Sequence, residues 1–186
     1  MSGPRVETPR LVLDQPPAGE AAGVVHYFAR NRDHLEPWEP ARPPGFYGER
    51  FWRERLAANR RETRDQRSLR LFLRLRDDPT RLVGCVNFSE VIRGCFLSCL
   101  LGYSLDGSLQ GRGLMREALE AALPAAFERL ELHRVSANYQ PSNERSGRLL
   151  RRLGFVVEGY ARDYLYIDGA WRDHVLTALV RPGVTP

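Results

Sequence analysis

The most unusual absence in this 186-residue sequence is lysine, because all 28 basic residues are arginine. Arginine and lysine are largely exchangeable on solvated surfaces, so the codon bias of a G+C-rich genome accounts for the replacement. Cysteine is scarce too. Cys95 and Cys99 on one strand would lie about 13 Å apart, too far for a disulfide. With no CxxC pair and no metal-ligand cluster, the sequence is typical of a reduced, cytoplasmic protein with three free thiols, Cys85, Cys95 and Cys99.

Long apolar runs are also missing. The sequence has no stretch of about eighteen consecutive apolar residues, so it predicts no membrane-spanning helix. Residues 1–5 lack the apolar core of a signal peptide. The hydrophobic content of 42% is ordinary for a soluble protein, and we expect one domain over residues 1–186.

The net charge of +5 comes largely from residues 49–67. The arginines of this segment are Arg50, Arg53, Arg55, Arg60, Arg61, Arg64 and Arg67, and they alternate with Glu49, Glu54, Glu62 and Asp65. Mixed signs at helical spacing are typical of a solvated helix face with local ion pairs. The alternative is a weak RNA-binding face.

Hydrophobic periodicity and turn residues predict a mixed, mostly antiparallel α+β domain. Alternating patterns indicate seven strands, over residues 10–14, 69–75, 82–92, 96–105, 134–139, 156–167 and 171–180. Helical spacing indicates four helices, over residues 19–31, 47–66, 113–130 and 143–153. Prolines exclude regular structure between the first two helices. Asp168-Gly169 is a typical two-residue hairpin turn between the last two strands.

A glycine-containing loop leads directly from the strand 96–105 into the helix 113–130. Its sequence is Gln110-Gly111-Arg112-Gly113-Leu114-Met115. Glycines let a backbone approach an anion closely, and the positive end of the helix dipole points to the same place. The loop lacks the Lys-Ser/Thr of a P-loop and the third glycine of a dinucleotide fold. It predicts a pyrophosphate site of another kind; the alternative is an ordinary glycine turn.

Several short motifs accompany this loop. They are Asn31, Trp38-Glu39-Pro40, Asn87-Phe88-Ser89, Leu132-His133-Arg134, Asn143-x-x-Ser146, Arg152-Leu153-Gly154-Phe155 and Asp168-Gly169-x-Trp171-Arg172. Over roughly residues 8–180 the ordered set resembles the GNAT superfamily of N-acetyltransferases. Within it the set is similar to the RimJ/RimL branch, above all to the ribosomal-protein alanine acetyltransferases. The resemblance implies the GNAT fold, a twisted sheet of about seven strands with about four helices. Two splayed strands would form a wedge for acetyl-CoA, and no metal is implied.

The resemblance also implies the acetyl-CoA contacts. The backbone of Gln110, Gly111, Arg112, Gly113, Leu114 and Met115 would hold the pyrophosphate. Met115 replaces the usual Gly or Ala, and we expect it to crowd the adenosine side. The backbone of Leu105 would bind the thioester carbonyl and polarise it. Asn143 would bind the pantetheine, although an N-cap of the following helix is an equally ordinary use of asparagine.

Ser146 is the catalytic candidate that the resemblance supports, as general acid for the departing thiolate. Many relatives use a tyrosine one turn later, where this sequence has Leu150. The alternative role of Ser146 is packing. No carboxylate precedes the loop on its strand, so the candidate general bases are Glu36, Glu39, Glu90 and Asp163, and we choose Glu39. The alternative is that these residues are surface charges.

Trp38, Glu39 and Tyr103 are predicted to bind the acceptor, because an aromatic wall and a carboxylate suit a short cationic peptide N-terminus. The alternative role of Trp38 is closure of the core. The resemblance implies direct acetyl transfer in a ternary complex to the N-terminal alanine of a small-subunit ribosomal protein. An α-amine is partly neutral near pH 7.5, so it needs less help from a base than a lysine amine.

Three alternatives to this function follow from the same residues. The acceptor could be a small amine such as an antibiotic or polyamine. The protein could be a ribosome-assembly or RNA-binding factor with secondary catalysis. It could also be a sensor that binds acetyl-CoA without turnover, given Leu150 and the missing base. We expect a monomer or homodimer, with a weak ribosomal-RNA contact as a possible addition.

Overall fold

The computed structural model describes residues 3–181 and residue 183. Eight strands form one sheet in the order β1-β2-β3-β4-β5-β6-β8-β7. The strands are β1 (Arg5–Glu7), β2 (Leu11–Asp14), β3 (Leu69–Leu75), β4 (Leu82–Ile92), β5 (Ser98–Leu105), β6 (Arg134–Tyr139), β7 (Val156–Ile167) and β8 (Ala170–Val180). The α-helices of this part of the chain are α1 (Ala21–Arg30), α2 (Arg32–Leu35), α3 (Glu49–Arg64), α4 (Leu114–Arg129) and α5 (Glu144–Arg152). Short 3-10 turns cover Ala18–Glu20, Glu36–Trp38 and Gly107–Leu109.

Neighbouring strands of the described sheet run antiparallel, with β5 and β6 as the exception. The chain passes from β5 to β6 through α4. A parallel pair needs such a long crossover, because the chain must return to the same end of the sheet before the second strand starts. The final hairpin inserts β8 between β6 and β7.

Two hydrophobic clusters cover the opposite faces of the sheet. Leu71 and Leu73 of β3 belong to the cluster that contains α4, whereas Phe72 between them belongs to the cluster that contains α1 and α3. Successive side chains of a strand point to opposite faces, which explains this division. Burial of each such side chain stabilises the fold by roughly 1.5–3 kcal/mol. None of the helices in the described part of the chain is long and apolar enough to cross a bilayer.

On the face of the sheet that carries α1 and α3, the side-chain packing is mainly between aromatic rings. Trp52 of α3 stacks on Phe28 of α1 with the ring centroids 5.1 Å apart. The indole Nε1 of Trp52 donates a hydrogen bond to the carbonyl oxygen of Phe46 (2.7 Å). This bond fixes the end of the proline-rich loop between α2 and α3 against the core.

The charged face of α3 consists largely of local ion pairs. Arg53 pairs with Glu49 (2.8 Å) and Arg50 with Glu54 (3.1 Å), each four residues apart. Farther along the helix, Arg55 contacts Glu62. Such exposed pairs contribute little to stability, typically about 0–1 kcal/mol each. The geometry agrees with a solvated helix face.

The alternating patterns located most of the strands. The predicted bounds 69–75, 82–92, 134–139 and 156–167 are those of the structure. The structure adds β1, which at three residues is too short to show an alternating pattern. It also adds the single turn α2, just before the prolines. β5 starts at Ser98 rather than at residue 96, because Leu97 has a φ of 40°, outside the extended region.

β5 and β6 pair over three residues only and then separate. The pairs are Ser98 with Arg134, Cys99 with Val135 and Leu100 with Ser136. Beyond them, β5 remains paired with β4 as far as Leu105, and β6 remains paired with β8 as far as Tyr139. The separation leaves a wedge between residues 101–105 and residues 137–139. The splayed strand pair expected of the GNAT fold is therefore present.

Candidate active site

The loop between β5 and α4 presents a row of free backbone donors. Gly111 and Gly113 have φ angles of +76° and +75°, which side chains rarely adopt, and Gly113 is the N-cap of α4. Within the described residues, the N–H groups of residues 111–116 donate no hydrogen bond. They surround the N-terminus of α4, where the helix dipole favours an anion. This cradle fits a pyrophosphate.

The structure corrects three details of the predicted loop. A 3-10 turn, Gly107–Leu109, separates β5 from it, so the strand does not lead directly into the loop. The N–H of Gln110 donates to the carbonyl oxygen of Gly107 and is not available to a phosphate. The side chains of Leu114 and Met115 are buried in the core beside α4, so Met115 does not crowd the adenosine side. These two residues offer backbone N–H groups alone.

Asp106 fixes the start of the loop. Its carboxylate accepts hydrogen bonds from Arg30 Nε and Arg81 Nη2, both at 2.8 Å. It also accepts from the backbone N–H (3.1 Å) and the hydroxyl (2.7 Å) of Ser108. Burial raises the pKa of Asp106, but the hydrogen bonds from Ser108, Arg30 and Arg81 outweigh burial and hold it well below its usual range. The carboxylate therefore stays charged and keeps the turn in place.

Residues of α1 and α2 also contact the loop. Asn31 Oδ1 accepts a hydrogen bond from the N–H of Gly107 (3.0 Å). The side-chain amide of Gln110 donates to Nε2 of His34 (2.8 Å). A Cβ on Gly107 would lie 3.3 Å from the ring of His34, so the close approach favours glycine. Sequence analysis missed His34, because its partners lie more than seventy residues later.

Arg10, at the start of β2, lies on the other side of the loop. Its Nη1 donates to the carbonyl oxygen of Arg112 (2.9 Å), and its Nε donates to Glu117 Oε2 (2.6 Å). The hydroxyl of Thr8 donates to the other oxygen of Glu117 (2.6 Å). These contacts place a guanidinium beside Gly113, with Nη2 3.6 Å from where a Cβ would stand. Arg10, which the sequence does not mark as a site residue, thus brings a guanidinium group to the edge of the cradle, where it is paired with Glu117.

Two hydroxyl groups meet in the wedge. Tyr103 of β5 and Ser146 of α5 form a hydrogen bond with their oxygens 2.8 Å apart. Burial raises the pKa of Tyr103 to about 12, against the opposing effect of the hydrogen bond with Ser146. The phenol is therefore neutral at physiological pH. Tyr103, predicted as an acceptor contact, touches Ser146, the predicted general acid.

Asn143 caps α5. Its Oδ1 accepts a hydrogen bond from the backbone N–H of Ser146 (3.1 Å). The capping role that sequence analysis kept as an alternative is thus real. The side-chain Nδ2 of Asn143 donates to no residue of the described chain, so it stays available for a pantetheine amide.

Leu105 ends β5 at the mouth of the wedge. It pairs with Gly84 of β4 on one side, and no strand pairs with it on the side of β6. A Cβ on Gly84 would lie 2.7 Å from the carbonyl oxygen of Ser104, so glycine allows β4 to hold β5 closely at this point. The open edge leaves backbone groups near Leu105 free to face a thioester.

The proline-rich loop and the turn between β7 and β8 enclose a cleft beside α1 and α2. The cleft measures about 170 Å³, and its lining includes Phe28, Glu36, Glu39, Tyr47, Asp168 and Gly169. Gln140, after β6, donates to the carbonyl oxygen of Pro37 (3.1 Å), which ties the loop to the end of the wedge. Trp38 is 37% exposed, so it does not close the core.

The candidate bases do not meet in the wedge. Glu39 forms an ion pair with Arg42, whose guanidinium lies over the ring of Phe46, and it makes no contact with Ser146 or Tyr103. The pairing makes Glu39 a charge partner of Arg42 rather than a free base.

The other candidate bases also lie away from the Tyr103–Ser146 pair; they are Glu90, Asp163 and Glu36. Glu90 lies in a bulge near Ser98, about 23 Å along β5 from Leu105 at 3.3 Å per residue. The N–H of Asp163 donates to Asp173 in an exposed bulge of β7. Glu36 faces Arg32 at 3.9 Å. None of the three carboxylates is positioned beside the Tyr103–Ser146 pair.

Comparisons with known proteins agree with this geometry. The Acetyltransferase (GNAT) domain matches residues 10–156. The [ribosomal protein uS5]-alanine N-acetyltransferase of Escherichia coli is 47% identical over 182 residues, covering 98% of this chain and 93% of that protein.

Two solved structures resemble the fold closely. The ribosomal-protein-S5-alanine acetyltransferase of Vibrio fischeri has a TM-score of 0.93 at 35% identity, covering 98% of this chain and 100% of that one. RimJ of Mycobacterium smegmatis in complex with CoA-disulfide has a TM-score of 0.86 at 30% identity, covering 99% and 89%. The chain therefore belongs to the GNAT family and is an N-acetyltransferase that uses acetyl-CoA.

Proposed function

We propose that this enzyme acetylates the N-terminal α-amine of a ribosomal protein that begins with alanine, of the uS5 kind. The observation that carries the proposal is the 47% identity to the E. coli uS5-alanine enzyme over almost the whole of both chains. The match spans 98% of the chain, so it covers the proline-rich loop and the β7–β8 turn on the acceptor side as well as the acetyl-CoA side.

The shape of the acceptor side supports a peptide. The cleft is small, and its lining includes the aromatic rings of Phe28 and Tyr47, the carboxylates of Glu36, Glu39 and Asp168, and the guanidinium groups of Arg32 and Arg42. Glu39 is paired with Arg42 and Glu36 faces Arg32, so the cleft carries mixed charge. The exposed ring of Trp38, in the same loop, offers an aromatic face to a cationic N-terminus. Donor and acceptor can meet in one complex at the wedge, because β5 and β6 separate there.

Acetyl-CoA supplies an activated thioester carbonyl to the amine. The N–H groups of residues 111–116, with Arg10 beside them, would hold its pyrophosphate, and Asn143 Nδ2 would bind its pantetheine. Free backbone groups near Leu105 would stabilise negative charge on the attacked oxygen. Ser146 would face the sulfur at the base of the wedge. These residues would position acetyl-CoA for attack, and positioning accounts for a large part of such catalysis.

Water takes the amine proton in this scheme. An α-amine has a pKa of about 7.7–8.0, so a substantial fraction is neutral at pH 7.5, whereas a lysine amine near 10.4 is almost wholly protonated. A peptide N-terminus therefore needs no strong base in the wedge. None of the carboxylates predicted as bases lies beside Tyr103 and Ser146, which agrees with a substrate that needs no strong base.

The test is a turnover assay with acetyl-CoA and synthetic peptides, read by mass spectrometry. The peptides carry the N-terminal sequence of E. coli uS5 with Ala, Ser or Met as first residue. A matched control is the Ala peptide with a blocked α-amine and an internal lysine. Spermidine and an aminoglycoside represent small amines.

We expect modification of the Ala peptide at its α-amine and none of the blocked control. Preferred acetylation of spermidine or the aminoglycoside would overturn the acceptor while leaving the chemistry intact. Binding of acetyl-CoA without any product would overturn the function and favour a sensor.

A weak contact of α3 with ribosomal RNA is a separate proposal. Arg61 and Arg64 of α3 are not engaged in the ion pairs that neutralise its earlier turns. The contact predicts RNA binding that weakens steeply with salt and survives Ser146→Ala. RNA binding lost in an Arg61→Gln/Arg64→Gln variant would support it, and unchanged binding would refute it.

A further inference from the structure

The proposed function does not by itself explain the hydrogen bond between Tyr103 and Ser146. Two hydroxyl groups 2.8 Å apart share one hydrogen bond, and either oxygen could donate in it. The choice of donor decides what Ser146 can do. If Ser146 donates to Tyr103, its only proton is used; if Tyr103 donates, the proton of Ser146 stays free for another acceptor.

The chemistry of the two groups selects Tyr103 as the donor. A phenol is far more acidic than an alkyl alcohol and is therefore the better hydrogen-bond donor. Tyr103 lies half-buried on β5, and its side chain packs against the core beside α4. Its hydroxyl has Ser146 as its hydrogen-bond partner within the described chain. The serine oxygen thus accepts from Tyr103, and its own proton points elsewhere.

Three contacts hold Ser146 in this position. Asn143 Oδ1 accepts a hydrogen bond from its backbone N–H at the first turn of α5. Its neighbour Gly147 lies so close to the ring of Tyr139 that a Cβ there would come within 2.8 Å of it. The third contact is the hydroxyl of Tyr103. The first two fix the backbone, and only the third fixes the rotation of the O–H bond.

We propose that Tyr103 is a positioning residue that orients the hydroxyl of Ser146 so that it donates a hydrogen bond to the sulfur of CoA. The inference rests on the acetyl transfer of the proposed function but not on the identity of the acceptor. The bond to sulfur strengthens as the carbon–sulfur bond breaks, since the sulfur then carries the electron pair of that bond as a thiolate. No proton leaves the Tyr103–Ser146 pair, and the thiolate is released with its charge or takes a proton from water.

The contact predicts a property of the product complex that needs no acceptor. A hydrogen bond to the thiolate favours the charged form, so the thiol of bound CoA should have a pKa below the ordinary value of about 8.5. The measurement is ultraviolet absorbance of the thiolate as the complex of enzyme and CoA is titrated. Tyr103→Phe removes the hydroxyl and keeps the ring.

Tyr27→Phe is the matched control. Tyr27 forms the same kind of bond, from its hydroxyl to Ser104 of β5 at 2.9 Å, but on the opposite face of the sheet. Both changes remove one hydroxyl–hydroxyl bond next to the same strand, so both lower stability. The bond of Tyr103 reaches Ser146 of α5, whereas the bond of Tyr27 lies on the side of α1.

We expect Tyr103→Phe to raise the thiol pKa by about one unit and to lower kcat about tenfold, with KM for acetyl-CoA within about twofold of the wild type. Ser146→Ala should do the same, and the double variant should add nothing, because both changes remove one interaction. Tyr27→Phe should leave the thiol pKa unchanged.

Two results would overturn the inference. One is a thiol pKa in Tyr103→Phe equal to that of the wild type. The other is additivity, in which the effects of Tyr103→Phe and Ser146→Ala add up in the double variant, as they do for independent residues. A failure of the peptide assay alone would refute the proposed acceptor and leave this result untouched, since CoA is its only ligand.

Discussion

Gly113→Ala is the sharpest test of the phosphate cradle. Gly113 has a φ of +75° and caps α4, and a Cβ there would lie 3.6 Å from Arg10 Nη2, an ordinary contact. The substitution therefore creates no clash, and its cost is the strain of an L residue in the left-handed region, about 1–2 kcal/mol. The loop can escape this strain by rotating the backbone, which turns N–H groups away from the phosphate.

The expected loss of acetyl-CoA affinity follows from the number of hydrogen bonds to phosphate that this backbone rotation breaks. A hydrogen bond to a charged group contributes about 1.5–3 kcal/mol. Loss of one phosphate bond thus weakens acetyl-CoA binding by roughly 10- to 150-fold, at about 1.4 kcal/mol per factor of ten. We expect Gly113→Ala to fall in this range by isothermal titration calorimetry.

Gly154→Ala is the control for strain alone. Gly154 follows α5 with a φ of +86°, and a Cβ there would lie 3.6 Å from Leu179, so the two positions match in conformation and space. A loss of about 1 kcal/mol lowers the melting temperature of a domain this size by about 2–4 °C. Both variants should show that fall, but acetyl-CoA affinity should fall in Gly113→Ala alone. Equal affinities for acetyl-CoA in Gly113→Ala and the wild type would refute the cradle.

Three further predictions concern charge. Arg10→Gln should weaken acetyl-CoA binding several-fold by calorimetry, whereas Arg5→Gln on the neighbouring strand should not; equal binding in both would exclude Arg10 from the cradle. The pKa of Asp106 is lowered in the folded protein, so its contribution to the free energy of unfolding is present above the unfolded pKa of about 3.9 and is lost as the pH falls below it. Asp106→Asn should therefore flatten the acid side of a plot of the free energy of unfolding against pH. An unchanged acid side would contradict this. The rate with subsaturating Ala peptide should rise from pH 6.5 towards a plateau above about 8, as the α-amine loses its proton, and a pH-independent rate would contradict direct attack by the free amine.

The elements of this fold were largely readable because their signals are local. β3 alternates Leu and Phe with Arg, and its predicted bounds are the observed ones. The residues that identify the glycine loop lie in one short stretch of the sequence. The same is true of the residues that identify the start of α5. In contrast, β1 has three residues and forms only by pairing with β2, so nothing within it predicts a strand.

The parts of the site that sequence analysis missed depend on distant partners. Arg10 meets Glu117 across 107 positions, and His34 meets Gln110 across 76. Neither residue has a local pattern that marks it, because an arginine before a strand and a histidine in a single helical turn are ordinary. The pair Glu39 and Arg42 was missed for a different reason: the two residues are only three positions apart, but they lie outside any helix, so their spacing does not predict the ion pair.

The geometry of β5 explains why the wedge is necessary for the reaction. Successive residues of this strand face opposite sides of the sheet: Tyr103 contacts Ser146 on the side of α5, and Ser104 contacts Tyr27 on the side of α1. Leu114 and Met115 of the cradle pack on the first side, whereas Phe28 and Leu35, which line the acceptor cleft, pack on the second. A continuous sheet would put a layer of paired backbone between a thioester on one face and an amine on the other. Because β5 and β6 stop pairing after Leu100 and Ser136, the carbonyl can sit within the plane of the sheet and be reached from the other face.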